Sequence, residues 1–105
     1  MAHINNLSNT GSTSVNLGRL RFFHAYNNGA ATAFVKLYNK ATAATSSDTP
    51  ILVLIVPAGG GANAPVPNND GIAFPLGLSI RATTEATDAG TTSPGANEVG
   101  LSYSN

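Results

Sequence analysis

The chain has 105 residues, no cysteine, and five acidic and five basic side chains. This length predicts one domain with a single modest core. A net charge of zero removes the attraction on which binding to nucleic acids or anionic membranes depends. The lack of cysteine excludes a disulfide scaffold, a zinc ribbon and thiol catalysis.

Charged residues are scarce in a chain of ordinary hydrophobic content. They make up 10% of the residues, against about 25% in a typical soluble domain. Apolar residues reach 42%, so the composition is not that of a disordered chain. The polar remainder is mostly Ser, Thr, Asn and Gly, which a neighbouring subunit can cover without desolvating ions. This composition favours a protein that works inside an assembly.

Residues 1–14 are polar and rich in turn-forming residues, with Ile4 and Leu7 as the only sizeable apolar side chains after Met1. Such a segment cannot bury enough surface to order itself alone. Two interpretations stay open: a frayed terminus, or an arm that orders on a neighbouring subunit through Ile4 and Leu7. We therefore expect an extended N-terminal arm over 1–14 and a β-sandwich domain over 15–105.

The sandwich begins with a short strand predicted at 15–17 and a longer one at 19–26. In the second, Leu20, Phe22, His24 and Tyr26 alternate with Phe23 on the opposite face. Since Phe22 and Phe23 are adjacent, one of them must lie off the core. These two and the aromatic Tyr26 are candidate interface residues.

A hairpin is predicted next. The sequence Asn27-Asn28-Gly29 is typical of a type I′ turn, and an alternating strand follows at 33–39. The strands 19–26 and 33–39 are therefore expected to pair.

The run Ile51–Val56 is continuously apolar and is bounded by Pro50 and Pro57, which indicates a strand. Because alternation is absent, both of its faces are expected to be covered. The second cover is either another subunit, with Leu52 and Leu54 as interface candidates, or a loop or the N-terminal arm of the same chain. At six residues the run is too short to cross a bilayer.

Three more strands are predicted, at 72–74, 77–84 and 98–103. In the last two, the inward residues are Leu78, Ile80 and Ala82, and Val99, Leu101 and Tyr103. Seven or eight short strands with no convincing helix predict an all-β, antiparallel β-sandwich of jelly-roll-like form.

No constellation of residues predicts catalysis, a metal or a cofactor. His3 and His24 are too few for a metal site, and the nucleophile motif Gly-x-Ser-x-Gly is absent. The acidic residues fall in predicted loops or at strand ends, where carboxylates cap turns; they are Asp48, Asp70, Glu85, Asp88 and Glu98. We therefore expect no enzyme activity.

Four segments, FVKLYNKATA (34–43), DTPILVLIVPAGG (48–60), FPLGLSIRATT (74–84) and EVGLSY (98–103), resemble a small β-sandwich structural protein of tailed-bacteriophage virions. The resemblance spans roughly residues 20–104 and is greatest to head decoration, or cement, proteins. It implies a homotrimer or other cyclic oligomer that binds the major capsid protein on the outer capsid surface, after synthesis in the host cytoplasm. It implies neither nucleic acid nor membrane as a partner.

One alternative of a different class stays open, a carbohydrate- or receptor-binding module of a phage tail. Such a module needs exposed aromatic rings beside Asn or Asp in a groove. Tyr26 with Asn27, and Tyr38 with Asn39, are the candidates for that role.

Overall fold

A computed structural model of the chain describes residues 2–14, 18–63 and 71–104. These residues form strands and no helix, which confirms the predicted all-β class. The strands are β1 (Ala2–Ile4), β2 (Ser12–Ser14), β3 (Gly18–Leu20), β4 (Phe22–Asn27), β5 (Ala33–Asn39), β6 (Leu52–Val56), β7 (Gly61–Asn63), β8 (Ile72–Phe74), β9 (Leu78–Thr83) and β10 (Val99–Ser104). The strand predicted at 15–17 lies outside the described residues.

The strands form two four-stranded antiparallel sheets and a two-stranded one. Sheet A has the order β1-β10-β4-β7, sheet B has the order β2-β9-β5-β6, and β3 pairs with β8. The pairings are nested: β1 pairs with β10, β2 with β9, β3 with β8, β4 with β7, and β5 with β6. A long antiparallel hairpin rolled into two facing sheets has this connectivity, which is that of a jelly roll.

The core lies between the sheets and is made of aliphatic and aromatic side chains from every sheet. Burial of this apolar surface is the main force that holds the sheets together. The buried residues of this core are Leu7, Leu20, Phe23, Ala25, Ala33, Val35, Leu37, Leu54, Val56, Phe74, Leu78, Ile80, Ala82, Val99, Leu101 and Tyr103.

The predicted hairpin over 19–39 is wrong, because β4 belongs to sheet A and β5 to sheet B. Asn27 is buried and uses its side chain to shape the crossing between the sheets. Its Nδ2 donates to the carbonyls of Ala31 (2.7 Å) and Val56 (3.2 Å), and its Oδ1 accepts from Gly29 N (2.8 Å). Gly29 is not among the residues with positive φ, as a type I′ turn would require.

The segment 2–14, expected as an arm, contributes β1 to sheet A and β2 to sheet B of the same chain. Between them, Leu7 N donates to Val99 O (2.9 Å), and Ser8 O accepts from Ala82 N (2.9 Å). Leu7 is only 1% exposed and belongs to the core. The segment obtains its order from long-range pairing, which local composition does not reveal.

The predicted strand 19–26 is two strands, β3 and β4, separated at Arg21. The interruption changes which residues face inward: Leu20 is buried in β3, whereas Phe23 and Ala25 are buried in β4. Phe22 therefore points to the opposite side from Leu20, although a continuous strand would place the two on one face.

Candidate interaction surfaces

Strand β6 forms one edge of sheet B, with β5 as its hydrogen-bonded neighbour. Its pleat turns Leu54 and Val56 into the core. Ile51, just before the strand, and Val53 and Ile55 within it stay 50%, 36% and 64% exposed, respectively. We call these three exposed residues the β6 ridge.

The β6 edge has no charged residue to prevent pairing with another chain. Residues 49–58 contain none, whereas many edge strands carry Lys or other charges for that purpose. Phe34 of β5 lies directly opposite Ile55 and is half-buried, so it extends the apolar surface by one strand. The β6 edge thus combines apolar side chains with a strand edge that no other strand of the described residues pairs with.

One of the two covers expected for the second face of β6, a loop or the N-terminal arm of this chain, is wrong, and cover by another subunit stays a prediction. Loops cover the outer face of β5 and β9, where Tyr38, Lys36 and Arg81 are buried, but they leave the β6 ridge exposed. Leu54 lies in the core and Leu52 packs against it. The residues in and just before β6 that can contact a partner are therefore Ile51, Val53 and Ile55. Leu52 and Leu54, which were the candidates from the sequence, face the core of this chain.

The other candidate interface residues occupy different environments. Leu7 and Phe23 are buried in the core, and Ile4 packs against it. Phe22 is 42% exposed, and Tyr26 is half-buried on the outer face of sheet A. Among these, Phe22 presents the largest apolar surface to a partner.

A row of polar side chains crosses the outer face of sheet A. His3, Ser102, His24 and Asn63 occupy directly opposite positions on β1, β10, β4 and β7. His3 Nδ1 is 2.8 Å from Ser102 Oγ, and His24 Nδ1 is 2.7 Å from Asn63 Oδ1. We call these four residues the polar row.

Tyr26 lies beside the polar row, between two glycines. Gly100 on β10 and Gly61 on β7 are its direct cross-strand partners. A Cβ at Gly100 would overlap the Tyr26 ring, and one at Gly61 would lie 2.9 Å from His24 Cε1. The glycines thus let both rings lie down on the sheet. The His3 ring stacks on Tyr26 with centroids 5.8 Å apart and an interplanar angle of 16°.

The residue pairs expected for carbohydrate binding do not form a common surface. Asn27 is 2% exposed and points away from Tyr26. Tyr38 is 2% exposed and accepts a hydrogen bond from Arg81 Nη1 at 2.9 Å. The polar row is not apparent from the sequence because it depends on strand order; the alternation Phe22, His24, Tyr26 is its only local sign.

Arg81 is fully buried on the outer side of sheet B and connects several loops. Its guanidinium donates to Asn9 O (2.8 Å), Gly90 O (2.6 Å) and Thr45 O (3.4 Å), and to Asn9 Oδ1. Backbone carbonyls occupy the donors, so the group is a structural connector with its hydrogen-bonding capacity largely used.

Lys36 lies opposite Arg81 on β5 and is also buried. Its Nζ donates to Thr87 O at 2.6 Å. Burial is the main cause that lowers the pKa of Lys36 below its ordinary 10.5, and repulsion from Arg81 adds to it, while Asp88 and Glu85 act in the opposite direction.

Three of the acidic residues organise loops, as their predicted role in turns requires; one of them, Glu98, accepts from Gly95 N through Oε1 at 2.8 Å. Lys40 Nζ lies 2.7 Å from Asp48 Oδ2, and this hydrogen bond is the main cause that lowers the pKa of Asp48. Glu85 Oε1 accepts from the backbone of Thr92 (2.7 Å) and Thr91 (2.8 Å), and the Thr92 bond is the main cause that lowers the pKa of Glu85. Asp70 lies outside the described residues.

Within the described ranges, no group of three or more His, Cys, Asp or Glu side chains is arranged to hold a metal ion. In that same part of the chain, no helix is long and apolar enough to cross a membrane. A cleft of about 280 Å³ lies between the segments 9–11 and 43–46 and is lined by neutral residues.

Comparisons with protein-family models, with curated proteins and with solved structures found no match.

Proposed function

We propose that this chain is a structural protein of a virion, a head decoration protein of the tailed-bacteriophage kind. In this role it associates with copies of itself and binds the major capsid lattice without performing chemistry. The observation that carries the proposal is the β6 ridge on an uncharged sheet edge. An edge of this kind is a template for pairing with another chain.

Self-association through β6 suits a closed cyclic oligomer, with a trimer as the favoured form. Closure protects the strand edges that would otherwise recruit further chains. The low charge of the chain supports the same role, since few ions must lose water when surfaces meet.

Several copies in one oligomer also explain how a small protein could hold a capsid together. Individually weak contacts to several capsid subunits add when the copies are joined, because each later contact is intramolecular. The loops tied to Arg81 give each copy a stiff outer surface on which such contacts can be placed.

Light scattering of the purified protein tests the self-association. We expect an oligomeric mass for the wild type and a monomeric mass for Ile55→Lys, because a lysine there puts charge at the centre of the contact. Leu76→Lys is the matched control, since Leu76 is 65% exposed and lies outside β6. A monomeric wild type at about 100 μM, or a monomeric Leu76→Lys variant, would contradict this use of β6.

Capsids test the decorating role. We expect the oligomer to co-sediment with capsids that lack it and to raise the temperature at which they break. Failure to co-sediment, or unchanged heat resistance of the particles, would reject the proposal.

A further inference from the structure

We infer that the outer face of sheet A, formed by the polar row and Tyr26, is a binding site for a neutral oligosaccharide. It lies on the sheet that does not contain β6, so it is independent of the proposed self-association.

The first support is the shape of the face. The polar row runs across four hydrogen-bonded strands, and at a strand spacing of about 4.8 Å it spans about 14 Å. Along β4, the rings of Phe22, His24 and Tyr26 alternate onto this face at steps of about 7 Å. A flat platform of this size suits a short chain of linked sugar rings.

The second support is the hydrogen-bonding capacity of the row. His24 donates Nδ1–H to Asn63 Oδ1, and with that proton on Nδ1 the other ring nitrogen, Nε2, can accept a hydrogen bond. The Asn63 amide keeps its Nδ2 donors, and the hydroxyls of Ser102 and Tyr26, which each lie within hydrogen-bond distance of His3, can each make a further bond. Sugar hydroxyls require donors and acceptors in such a mixture.

The third support is the aromatic surface. Gly100 and Gly61 flank Tyr26 and carry no side chain, so the Tyr26 ring can lie over Gly100 and the His24 ring over Gly61. A ring that lies along the sheet offers its face to the apolar C–H side of a sugar, while the polar row takes the hydroxyls. The His3 ring is nearly parallel to the Tyr26 ring at a centroid distance of 5.8 Å, so the two rings are offset and His3 extends the aromatic surface toward β1.

The charge of the face separates a glycan from a nucleic acid. The polar row contains no Lys or Arg, and neither do Tyr26 and its cross-strand partners Gly100 and Gly61. Single-stranded nucleic acids use aromatic stacking too, but they require a basic groove along the phosphates. A neutral ligand is therefore the better match.

The test is an array of neutral hexose and N-acetylhexosamine oligosaccharides, with an oligothymidine as a separate probe. We expect the wild type to bind at least one neutral class and to ignore the oligothymidine. Tyr26→Ala and Asn63→Ala should each weaken the binding at least tenfold. Leu76→Ser, which changes an exposed residue elsewhere, should bind as the wild type does.

Thermal melts accompany each variant to separate binding from folding. Asn63 is exposed near the end of the short edge strand β7, so Asn63→Ala should keep the wild-type melting temperature and decides the test if Tyr26→Ala fails to fold. Binding to no neutral glycan, binding that both folded variants retain, or binding to the oligothymidine alone would overturn the inference. None of these outcomes depends on whether the protein binds capsids.

Discussion

Arg81 shows how one buried cation can connect distant parts of a small domain. It bonds to the segment before β2, to the loop between β5 and β6, and to the loop between β9 and β10. The loss of the guanidinium leaves two buried acceptors, Gly90 O and Tyr38 Oη, and three partly buried ones without their donor.

We expect Arg81→Met to lower the free energy of unfolding by about 3 kcal/mol, because each unsatisfied buried acceptor costs about 1 kcal/mol or more. For a domain of this size, that corresponds to a fall in Tm of about 15 °C. Arg19→Met, at an exposed arginine, is the control and should cost far less. Equal melting temperatures for the two variants would disprove the connecting role of Arg81.

The buried Lys36 predicts an unusual pH dependence. Burial is the main cause that lowers the pKa of Lys36 in the folded chain below its ordinary value of 10.5. At pH values between the folded-state pKa and 10.5, the folded chain therefore binds fewer protons than the unfolded chain. The free energy of unfolding should therefore rise with pH across this window.

The comparison that isolates this effect is the wild type against Lys36→Met, in urea unfolding at pH 7 and pH 10. We expect the wild type to gain stability relative to the variant as the pH rises, because deprotonation removes a buried charge. Parallel behaviour of the two proteins would show that Lys36 keeps its ordinary pKa.

At the scale of the strand, β6 separates two kinds of apolar residue by its pleat. Leu54 faces the core and Ile55 faces outward. We expect Leu54→Asp to unfold the subunit, since an unpaired buried charge costs several kcal/mol. Ile55→Asp should leave the cooperative thermal transition of the subunit in place. Circular dichroism melts check both variants, and a folded Leu54→Asp would show that the register of β6 differs from the one described.

The strands differ in how well the sequence predicts them. The strands predicted at 33–39, 77–84 and 98–103 are confirmed by β5, β9 and β10, and the residues predicted to face inward in the last two are buried. Strand β9 is buried on both faces, however, because loops cover the side that was expected to face outward. Strands β1, β2 and β7 have three residues each, too few for a period to be recognised. Their existence follows from the partners they meet, which only the folded chain brings together.

The candidate sites, too, depend on contacts between distant parts of the chain, which the local sequence does not show. The apolar run 51–56 marks β6 as unusual, but its exposed side depends on how far the loops reach across sheet B. The polar row joins residues 3, 24, 63 and 102, and apart from the alternation around His24 the local sequence does not indicate that they share one line. Likewise, Asn27 has the composition of a turn, yet its amide stabilises a crossing between sheets because its side chain is buried.

At the scale of the whole molecule, the segment 2–11 belongs to the sandwich through β1 and Leu7. We expect its deletion to abolish the cooperative thermal transition, because sheet A loses a strand and the core loses a leucine. Leu7→Ser should lower Tm strongly, while Asn5→Ser, at an exposed position, should leave it unchanged. A truncated protein that melts like the full chain would restore the interpretation of this segment as a dispensable arm.

The nested pairing has a consequence for how the protein is made. Strand β10 lies between β1 and β4, and β9 lies between β2 and β5. While a ribosome is still synthesising the chain, the early strands have therefore emerged without the neighbours they need. Both sheets must be completed late, from contacts between distant parts of the chain, which predicts slow folding and a period of vulnerability to aggregation for every nascent copy.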